Sequence, residues 1–571
     1  SYQLSVISYQ LSVISYQLEG VGFWGFRVLV EFPISPFPHF LTTDSENSID
    51  GLSRNCHNSI RVEETYLGMF SFFKFIIFYF TSQVQESLTF LLDRMLLTDD
   101  LLLDYQRCQR RGFLNLYGNS QEKDPERDFL LKLRQESQIH VNKVLQDSYP
   151  DYCSLTTPST DILAAARETE ALMGQGVSCI YHGVLLQSGY PVSLTGSPHL
   201  LIKQPGKSKF GDWIYYPLNI QLGRRPKPEY KLLATFYAYL LAGMQGVFPN
   251  YAEIVLRRHN RYRVELNLWL TKLEEIIKKF GEMVINHQEP EVFISRQRCS
   301  LCHWYSHCYG IAQASQHLSL VPGVTPSRYQ FLQSLGVSTM ESLALTCPTR
   351  MGEGMGLEVA NQLQLQAQAI IENRAFRKSN GKTAYLSPLP RAEIEFYFDI
   401  EAEPEQNLDY LLGILRVDYR VNTQQFYPFL AEKPEDEGRI WQEFLTLVMQ
   451  DYQAPIFHFS EYEVETIKRL GYLYKTPSSL INQLVSRCFD LHYQVVNSVT
   501  FPVESYSLKS LANWIGFQWR DRGVSGDQCV WWYDQWLKTG DRTLLAAILR
   551  YNEDDCRATF RLKDWLVNFL I

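Results

Sequence analysis

The sequence predicts a multidomain α/β protein, and its length, its composition and its alternation of strand-like and helical patterns each support that fold class. The chain has 571 residues, enough for roughly three or four domains of ordinary size. Hydrophobic residues make up 45% of the chain and charged residues 20%, which is normal globular usage and excludes a largely disordered protein. The sequence contains no run of about 18 apolar residues, so we expect no membrane segment.

The overall charge is mildly acidic, with one basic segment. Fifty-four basic and 62 acidic side chains give a net charge of −8, which argues against a protein that coats nucleic acid uniformly. Residues 203–263 instead hold eleven Lys and Arg against three acids. This segment is a candidate polyanion-binding face, with an ordinary solvated surface as the alternative. The residues expected to contact nucleic acid are Arg224, Arg225, Lys227 and Lys231.

The first 94 residues carry little structural information. SYQLSVI occurs at 1–7 and again at 8–14, and two copies are too few for a coiled coil. The stretch shows no clear hydrophobic period. We interpret residues 1–94 as a low-information extension, and upstream sequence translated ahead of a start at Met95 is one explanation for it.

A group of cysteines has metal-ligand spacing, C-x2-C-x5-C. Its members are Cys299, Cys302 and Cys308. A fourth ligand must come from elsewhere, and Cys108 is the candidate. Four thiolates are the usual shell of an iron–sulfur cluster and also of structural zinc. The alternatives are zinc with His303 or His307 as the fourth ligand, and unligated cysteines in a turn.

One cysteine before and three after a strand–strand–helix core resembles the iron–sulfur RecB-like nucleases of the PD-(D/E)XK class. The resemblance runs from about Met95 to Cys308. It implies a nuclease-like domain over residues 95–312, and a 4Fe-4S cluster on the four cysteines with Zn²⁺ as the alternative metal. Members of that family hold a divalent metal with two aspartates on neighbouring strands, and a lysine positions the attacking water.

This chain departs from the family at the residues that carry the chemistry. His199, Asn219 and Gln221 occupy the positions of the two acids and the lysine. A neutral amide is a poor replacement for a carboxylate on Mg²⁺, and the charge that would neutralise a phosphoryl transition state is lost. We therefore expect a degenerate domain that keeps its fold, its cluster and its contact with nucleic acid, but not hydrolysis.

Residues 313–388 predict a small helical connector. Apolar helices interrupted by Pro322-Gly323 and by Gly336 indicate a short helix–turn–helix pair. A helix-hairpin-helix and a simple packing linker are the two interpretations. Polar residues at 373–388 mark the boundary to the last domain.

The last domain, residues 389–571, opens on a strand that ends in two acids. Asp399 and Glu401 are two residues apart, so on a strand they share one face. Two more strand-like runs, a helix and a fourth strand at 455–459 follow. Strand, strand, strand, helix, strand, helix is the element order of an RNase H-like fold.

Two further motifs complete the pattern. Glu463 comes just after the fourth strand, at the start of a helix. Tyr551 and Asp555 are four apart on a later helix, and so share a face. With the first pair, these motifs resemble the DnaQ-like 3′–5′ exonucleases of the DEDD type, and more closely their bacterial YprB-type branch. Glu463 departs from that pattern, because the family has Asp there.

That resemblance implies a two-metal hydrolase. Two Mg²⁺ or Mn²⁺ ions would stabilise the attacking and the leaving oxygen. The carboxylates to hold them would come from Asp399, Glu401, Glu463 and Asp555. Tyr551 would orient the water, because its ordinary pKa near ~10 makes it a poor base at neutral pH.

The combined domain order is similar to that of RecB-like nucleases with a C-terminal RNase H-like domain. It implies a cytoplasmic 3′–5′ exonuclease that hydrolyses phosphodiester bonds, with DNA favoured over RNA and no membrane partner. Protein partners stay open. The alternative is a non-catalytic, nucleic-acid-binding iron–sulfur scaffold in which both sites have drifted.

Overall fold

The computed structural model describes residues 96–189, 192–378 and 389–570. The interpretation of residues 1–94 therefore lies outside the described residues. The described residues belong to one unit, Gln85–Ile571. Among them, no helix combines the length and the apolar character that crossing a membrane requires.

The N-terminal half, residues 96–314, combines helices with two small sheets. Its strands are β1 (Leu96–Leu97), β2 (Cys153–Ser154), β3 (Cys179–Tyr181), β4 (Leu185–Gln187), β5 (Ser193–Gly196), β6 (Leu200–Ser208), β7 (Gly211–Ile220), β8 (Ala252–Val255) and β9 (Arg261–Val264). Its helices are α1 (Asp99–Arg107), α2 (Gln109–Tyr117), α3 (Asp128–Ser148), α4 (Ile162–Gly174), α5 (Pro228–Gln245), α6 (Asn267–Asn286), α7 (Arg296–Cys299) and α8 (Tyr305–Ala314). Within the described residues, one sheet has the order β1-β5-β4 and the other β2-β3-β6-β7-β8-β9.

Helix α5 is the centre of this half. It packs against β4 and β5 of the first sheet and against β7 and β8 of the second. A helix enclosed in this way must be apolar on most of its surface, and α5 has buried residues on nearly every turn. Proline at its first position suits a helix start, and Gly246 ends it with a φ of 77°, a conformation that glycine adopts without strain.

The connector consists of short helices around their own apolar core. They are α9 (Pro326–Ser334), α10 (Met340–Leu345), α11 (Pro348–Met355) and α12 (Leu357–Glu372). Thr325 caps α9 by accepting a hydrogen bond from the Arg328 N–H, and Thr339 and Ser342 form a capping box on α10. Gly336, with a φ of 76°, lies in the turn between α9 and α10.

The C-terminal domain, residues 389–570, is a sheet covered by helices. Its strands are β11 (Ile394–Glu403), β12 (Leu408–Asp418), β13 (Thr423–Leu430), β14 (Ile456–His458), β15 (Cys488–Asp490) and β16 (Val499–Thr500), the last paired with β10 (Phe376–Arg377). Its helices are α13 (Glu437–Gln450), α14 (Tyr462–Leu473), α15 (Ser478–Ser486), α16 (Leu491–Ser498), α17 (Leu508–Trp514), α18 (Gly526–Thr539) and α19 (Arg542–Leu570).

The main sheet of this domain has the order β13-β12-β11-β14-β15 among the described strands. The first three strands are antiparallel, and β14 and β15 continue the sheet in parallel. The element order predicted from the sequence is confirmed, and β15 is a strand that the sequence analysis did not identify. Strand β11 lies in the middle of this sheet, so the acids at its end are surrounded by structure.

Helix α19 crosses the sheet and packs against β11, β12 and β14. Apolar residues at helical spacing, including Leu545, Ile548 and Leu562, form its buried face. Lys563 on the same face is also buried, and its Nζ donates to both carboxylate oxygens of Glu395, at 2.7 and 2.8 Å. This packing directs the middle of α19 toward the end of β11.

Candidate metal centre

Three of the predicted acids meet at one point. Asp399 and Glu401 lie near the end of β11, and Asp555 projects from α19. One oxygen of each carboxylate lies within 4.8 Å of the others. Strand alternation and helix packing therefore bring together carboxylates that are more than 150 residues apart in sequence. Hard oxygen ligands in this number suit Mg²⁺ or Mn²⁺.

The electrostatics of this group favour a cation. Burial and the neighbouring carboxylates, first Asp555 and then Glu401 and Glu463, raise the pKa of Asp399 well above its usual range. Burial and Asp555 do the same to the pKa of Glu401. Burial raises the pKa of Asp555 to about 7. A divalent cation would reverse these shifts, because it stabilises the ionised carboxylates directly.

Glu463, the fourth predicted acid, lies beside this group and is not part of it. It is buried in the first turn of α14, where it accepts a hydrogen bond from Ser460 Oγ at 3.2 Å. His458 Nδ1 lies 3.6 Å from the same carboxylate. The charge of Glu463 acts on Asp399, so it contributes to the negative field of the site from outside the three-carboxylate contact.

Tyr551 is next to the acids and stays a neutral phenol. Burial, followed by the charges of Asp555 and Glu401, raises its pKa well above the usual range. Its hydrogen bond to Asp555 lowers the pKa of that carboxyl. The hydroxyl is therefore a hydrogen-bond donor toward the cluster at neutral pH, and it is not a base.

The structure adds three residues that the sequence analysis missed. Asn552 Nδ2 donates to Asp399 Oδ2 at 2.7 Å, and Trp519 Nε1 donates to Asp555 Oδ1 at 2.8 Å. The ammonium group of Lys509 lowers the pKa of Asp555. Asn552 precedes Asp555 by three helical positions, a spacing that could have identified it. Trp519 and Lys509 come from other segments, and no sequence pattern links them to the site.

Asn552 approaches the sheet very closely at Gly413. Gly413 is the register partner of Asp399 on β12. A Cβ added there would lie 1.7 Å from Asn552 Oδ1. The absence of a side chain on Gly413 therefore leaves the space in which Asn552 reaches Asp399.

A cavity of about 810 Å³ is lined by Trp519 and Lys509, the two residues that act on Asp555. The N-terminal half contributes residues 125–128 to its wall, and the C-terminal side also includes Asn513, Gln518, residues 521–525, Asp527 and Gln528. Its charges are mixed, since Arg127, Lys509 and Arg522 are interspersed with acids.

The four predicted cysteines also come together. Cys108 lies between α1 and α2, and it lines one cavity of about 40 Å³ with Cys299, Cys302 and Cys308. In the described residues, no three of these sulfurs lie within 4.8 Å of one another. The histidines offered as alternative ligands bond elsewhere. His303 Nε2 is 2.8 Å from Asn115 Oδ1, and His307 Nδ1 is 2.6 Å from Glu122 Oε2.

Cations surround the cysteine cavity. Its lining includes Arg107, Arg110, Arg111 and Arg298. Burial raises the pKa of the Cys308 thiol to about 11, and the hydrogen bond from Arg110 opposes that shift. Four sulfur donors with nearby guanidinium groups fit a cluster or an ion that binds thiolates, because the arginines would offset the thiolate charge.

In the described part of the N-terminal half, the residues predicted to mark a nuclease-like site have no acidic group of this kind beside them. Burial lowers the pKa of His199 to about 3, so its ring is neutral, and its Nδ1 accepts from the Ile220 N–H at 3.3 Å. Asn219 is buried on β7, and the Gln221 N–H donates to the Val255 carbonyl at 2.8 Å. Among the described residues here, no three His, Cys, Asp or Glu ligands lie within 4.8 Å of one another.

The basic residues proposed for nucleic acid have different roles. The Arg224 guanidinium donates to the Pro404 carbonyl at 3.2 Å and to that of Glu405, so it contacts the C-terminal domain. Arg225 and Lys227 are exposed. The Lys231 ammonium lies 4.9 Å from the ring centre of Tyr262.

Comparison with known proteins bears on one part of the chain. A profile described as the RNase_H superfamily matches residues 396–567. This domain is RNase H-like. The match contains the three carboxylates, Glu463 and Tyr551, and at the level of the superfamily it indicates a nuclease that acts on nucleic acid. A search of the curated proteins found no match.

Proposed function

We propose that the chain is a metal-dependent 3′–5′ exonuclease and that its C-terminal domain hydrolyses the phosphodiester bonds of the substrate. The observation that carries the proposal is the contact between Asp399, Glu401 and Asp555 inside an RNase H-like domain. Such a group is costly to bury without a cation, because like charges in a desolvated site oppose one another's ionisation. DNA is the favoured substrate.

The three carboxylates would hold Mg²⁺ or Mn²⁺, and Glu463 would add negative charge from beside them. Bound metal supplies an activated water and stabilises charge on the attacking and leaving oxygens. Asn552 and Trp519 hold Asp399 and Asp555 in fixed orientations through single hydrogen bonds. The Tyr551 hydroxyl would donate a hydrogen bond to the attacking water. It would orient that water without removing a proton from it.

The cavity beside Trp519 and Lys509 is the route proposed for the substrate strand. Both residues line it, and both act on Asp555. Lys509 is a cation next to the acids, where a scissile phosphate would need one. Trp519 lines the same cavity and fixes Asp555 through its indole N–H.

For the cysteines, we propose a 4Fe-4S cluster. Four thiols line one cavity, and four thiolates are the usual shell of such a cluster. Zn²⁺ on the same sulfurs is the alternative. The cluster would join Cys108 of the first helices to the segment after α6, and so stabilise the N-terminal half.

The N-terminal half is proposed to bind nucleic acid without hydrolysing it. His199 is neutral, and Asn219 and Gln221 cannot carry the charges of an Asp-x-Lys motif. The exposed Arg225 and Lys227 leave a small basic surface. This surface would contact phosphates without sequence preference.

The test uses full-length chain and end-labelled single strands of DNA and RNA with Mg²⁺ or Mn²⁺. Asp399→Ala should abolish release of nucleotides from the 3′ end, and Asp564→Ala, an exposed acid on α19, should retain it. Full activity in Asp399→Ala would move catalysis away from this site. Wild-type protein that binds strands and never degrades them would favour the scaffold alternative.

A further inference from the structure

A buried ion pair joins the N-terminal half to the strand that carries the acids. Lys132 on α3 is 1% exposed, and Glu403, the last residue of β11, is 2% exposed. The Lys132 ammonium donates to Glu403 Oε2. Loss of one partner would leave the other charge buried and unpaired, which strongly destabilises the folded protein. The contact therefore constrains both α3 and the end of β11.

The pair belongs to a larger network on the turn after β11. Lys132 also lies 3.0 Å from Glu136, one turn further along α3. Arg257 connects Glu136, at 3.1 Å, to Glu405, at 3.3 Å. Arg224 adds its hydrogen bonds to the backbone of the same turn. Three cations of the N-terminal half therefore hold one short segment of the C-terminal domain.

Helix α3 makes a second contact near the acids. Asp128, its first residue, accepts a hydrogen bond from Gln528 Nε2 on α18 at 3.1 Å. The next residue of α18, Cys529, is fully buried, and Glu401 and Asp555 raise the pKa of its thiol after burial itself. Helix α3 thus supports the acidic group through both β11 and α18.

The end of β11 is the part of the strand that needs such support. Pairing between β11 and β12 is regular up to Glu401 and shifts register between Glu401 and Ala402. An irregularity of this kind interrupts the ladder of hydrogen bonds. Glu403, two residues beyond Glu401, is then held by Lys132 from outside the sheet.

We propose that the N-terminal half holds the end of β11 in place for the acidic site, and that Lys132 is a positioning residue for Asp399 and Glu401. The inference rests on the proposed function of the acidic site. It assigns to the N-terminal half a role that does not depend on nuclease chemistry of its own.

The direction in which a Lys132 substitution changes metal affinity distinguishes a positioning role from a purely electrostatic one. Removing the positive charge of Lys132 would, by Coulomb attraction alone, tighten the binding of a cation by the nearby acids. Loss of position would weaken it, because carboxylates that move apart no longer share one ion. Weaker binding is the result that the proposal requires.

The experiment compares Lys132→Met with Lys203→Met in the full chain. Lys203 donates to the Gly176 carbonyl at 2.8 Å, inside the N-terminal half, so it is a matched change away from β11. Two measurements are made on each variant: amide hydrogen exchange of residues 399–403 without metal, and the dissociation constant for Mn²⁺ by electron paramagnetic resonance. Arg257→Met, which removes a partly exposed cation of the same network, is the second variant if Lys132→Met does not fold.

Lys132→Met should accelerate exchange at the end of β11 and weaken Mn²⁺ binding, each by about tenfold or more, while Lys203→Met changes neither. Arg257→Met should change both in the same direction by a smaller factor. Unchanged exchange, or Mn²⁺ bound as tightly as in wild type or more tightly, overturns the inference. Failure of wild type to bind Mn²⁺ would instead reject the proposed function, and the exchange measurement would still decide the role of Lys132.

Discussion

Gly413→Ala is the substitution for which the structure gives the sharpest expectation. The added Cβ would lie 1.7 Å from Asn552 Oδ1 and 2.8 Å from its Cγ. Both separations are too short for non-bonded atoms, so the Asn552 side chain must move. Its hydrogen bond to Asp399, 2.7 Å long, is then lost although neither residue has been changed.

The size of the effect follows from that bond. Hydrogen bonds to charged groups contribute about 1.5–3 kcal/mol, which corresponds to a factor of about 10–150 in an equilibrium constant. The bond from Asn552 lowers the pKa of Asp399 against the effects of burial and neighbouring charge. Without it the carboxyl keeps its proton more strongly, and the dissociation constant for Mn²⁺ should rise by that factor.

The assay is calorimetric titration of Mn²⁺ into the full chain at neutral pH, with thermal unfolding to check the fold. Gly310→Ala is the matched control, since a Cβ at Gly310 in α8 meets nothing within 4 Å. Alanine in an exposed helix is favoured over glycine by about 1 kcal/mol, so this control should be as stable as wild type or more so. If Gly413→Ala binds Mn²⁺ as tightly as Gly310→Ala, Asn552 does not hold Asp399 in the way described.

Two other predictions concern the acids and the cysteines. Asp555 ionises at about 7 in the folded, metal-free chain and near ~3.9 when unfolded. Between these values the folded state binds more protons, so Asp555 should make the free energy of unfolding fall by about 1.4 kcal/mol per pH unit as pH rises. Denaturant titrations in EDTA should show this slope in wild type relative to Asp555→Asn, and saturating Mg²⁺ should remove it; an equal slope in both proteins would contradict the pKa. Anaerobically purified wild type should be brown, with absorption near ~400 nm, and Cys302→Ser should lose that absorption while Cys179→Ser keeps it. A colourless wild-type protein that contains zinc would reject the iron–sulfur cluster.

The sequence was most informative where chemistry and periodicity coincide. Asp399 and Glu401 could be placed on one face because alternation along a buried strand is strict. Asp555 and Tyr551 could be paired because helical spacing is equally regular. Periodicity alone could not predict that the two pairs meet in space. That expectation came from the order of the elements, which indicated an RNase H-like fold.

Contacts made by isolated residues could not be predicted in the same way. Trp519 and Lys509 reach Asp555 from segments that no periodic pattern connects to α19. The basic charge of residues 203–263 was likewise a poor predictor of which residues are free to contact nucleic acid. Arg224 and Arg257 belong to the basic segment, yet their guanidinium groups contact the turn after β11. Net charge along a sequence does not distinguish a cation that binds a partner from one that binds the same chain.

One helix connects the two halves of this protein. α3 presents Lys132 to Glu403 of β11, and one turn earlier it presents Asp128 to Gln528 of α18. At 1.5 Å per residue the two positions are only about 6 Å apart on a continuous helix. Both contacts therefore shift together when α3 moves. This geometry gives the N-terminal half a physical means to influence Asp399 and Glu401, because support requires the position of Lys132 and not a carboxylate at position 199 or 219.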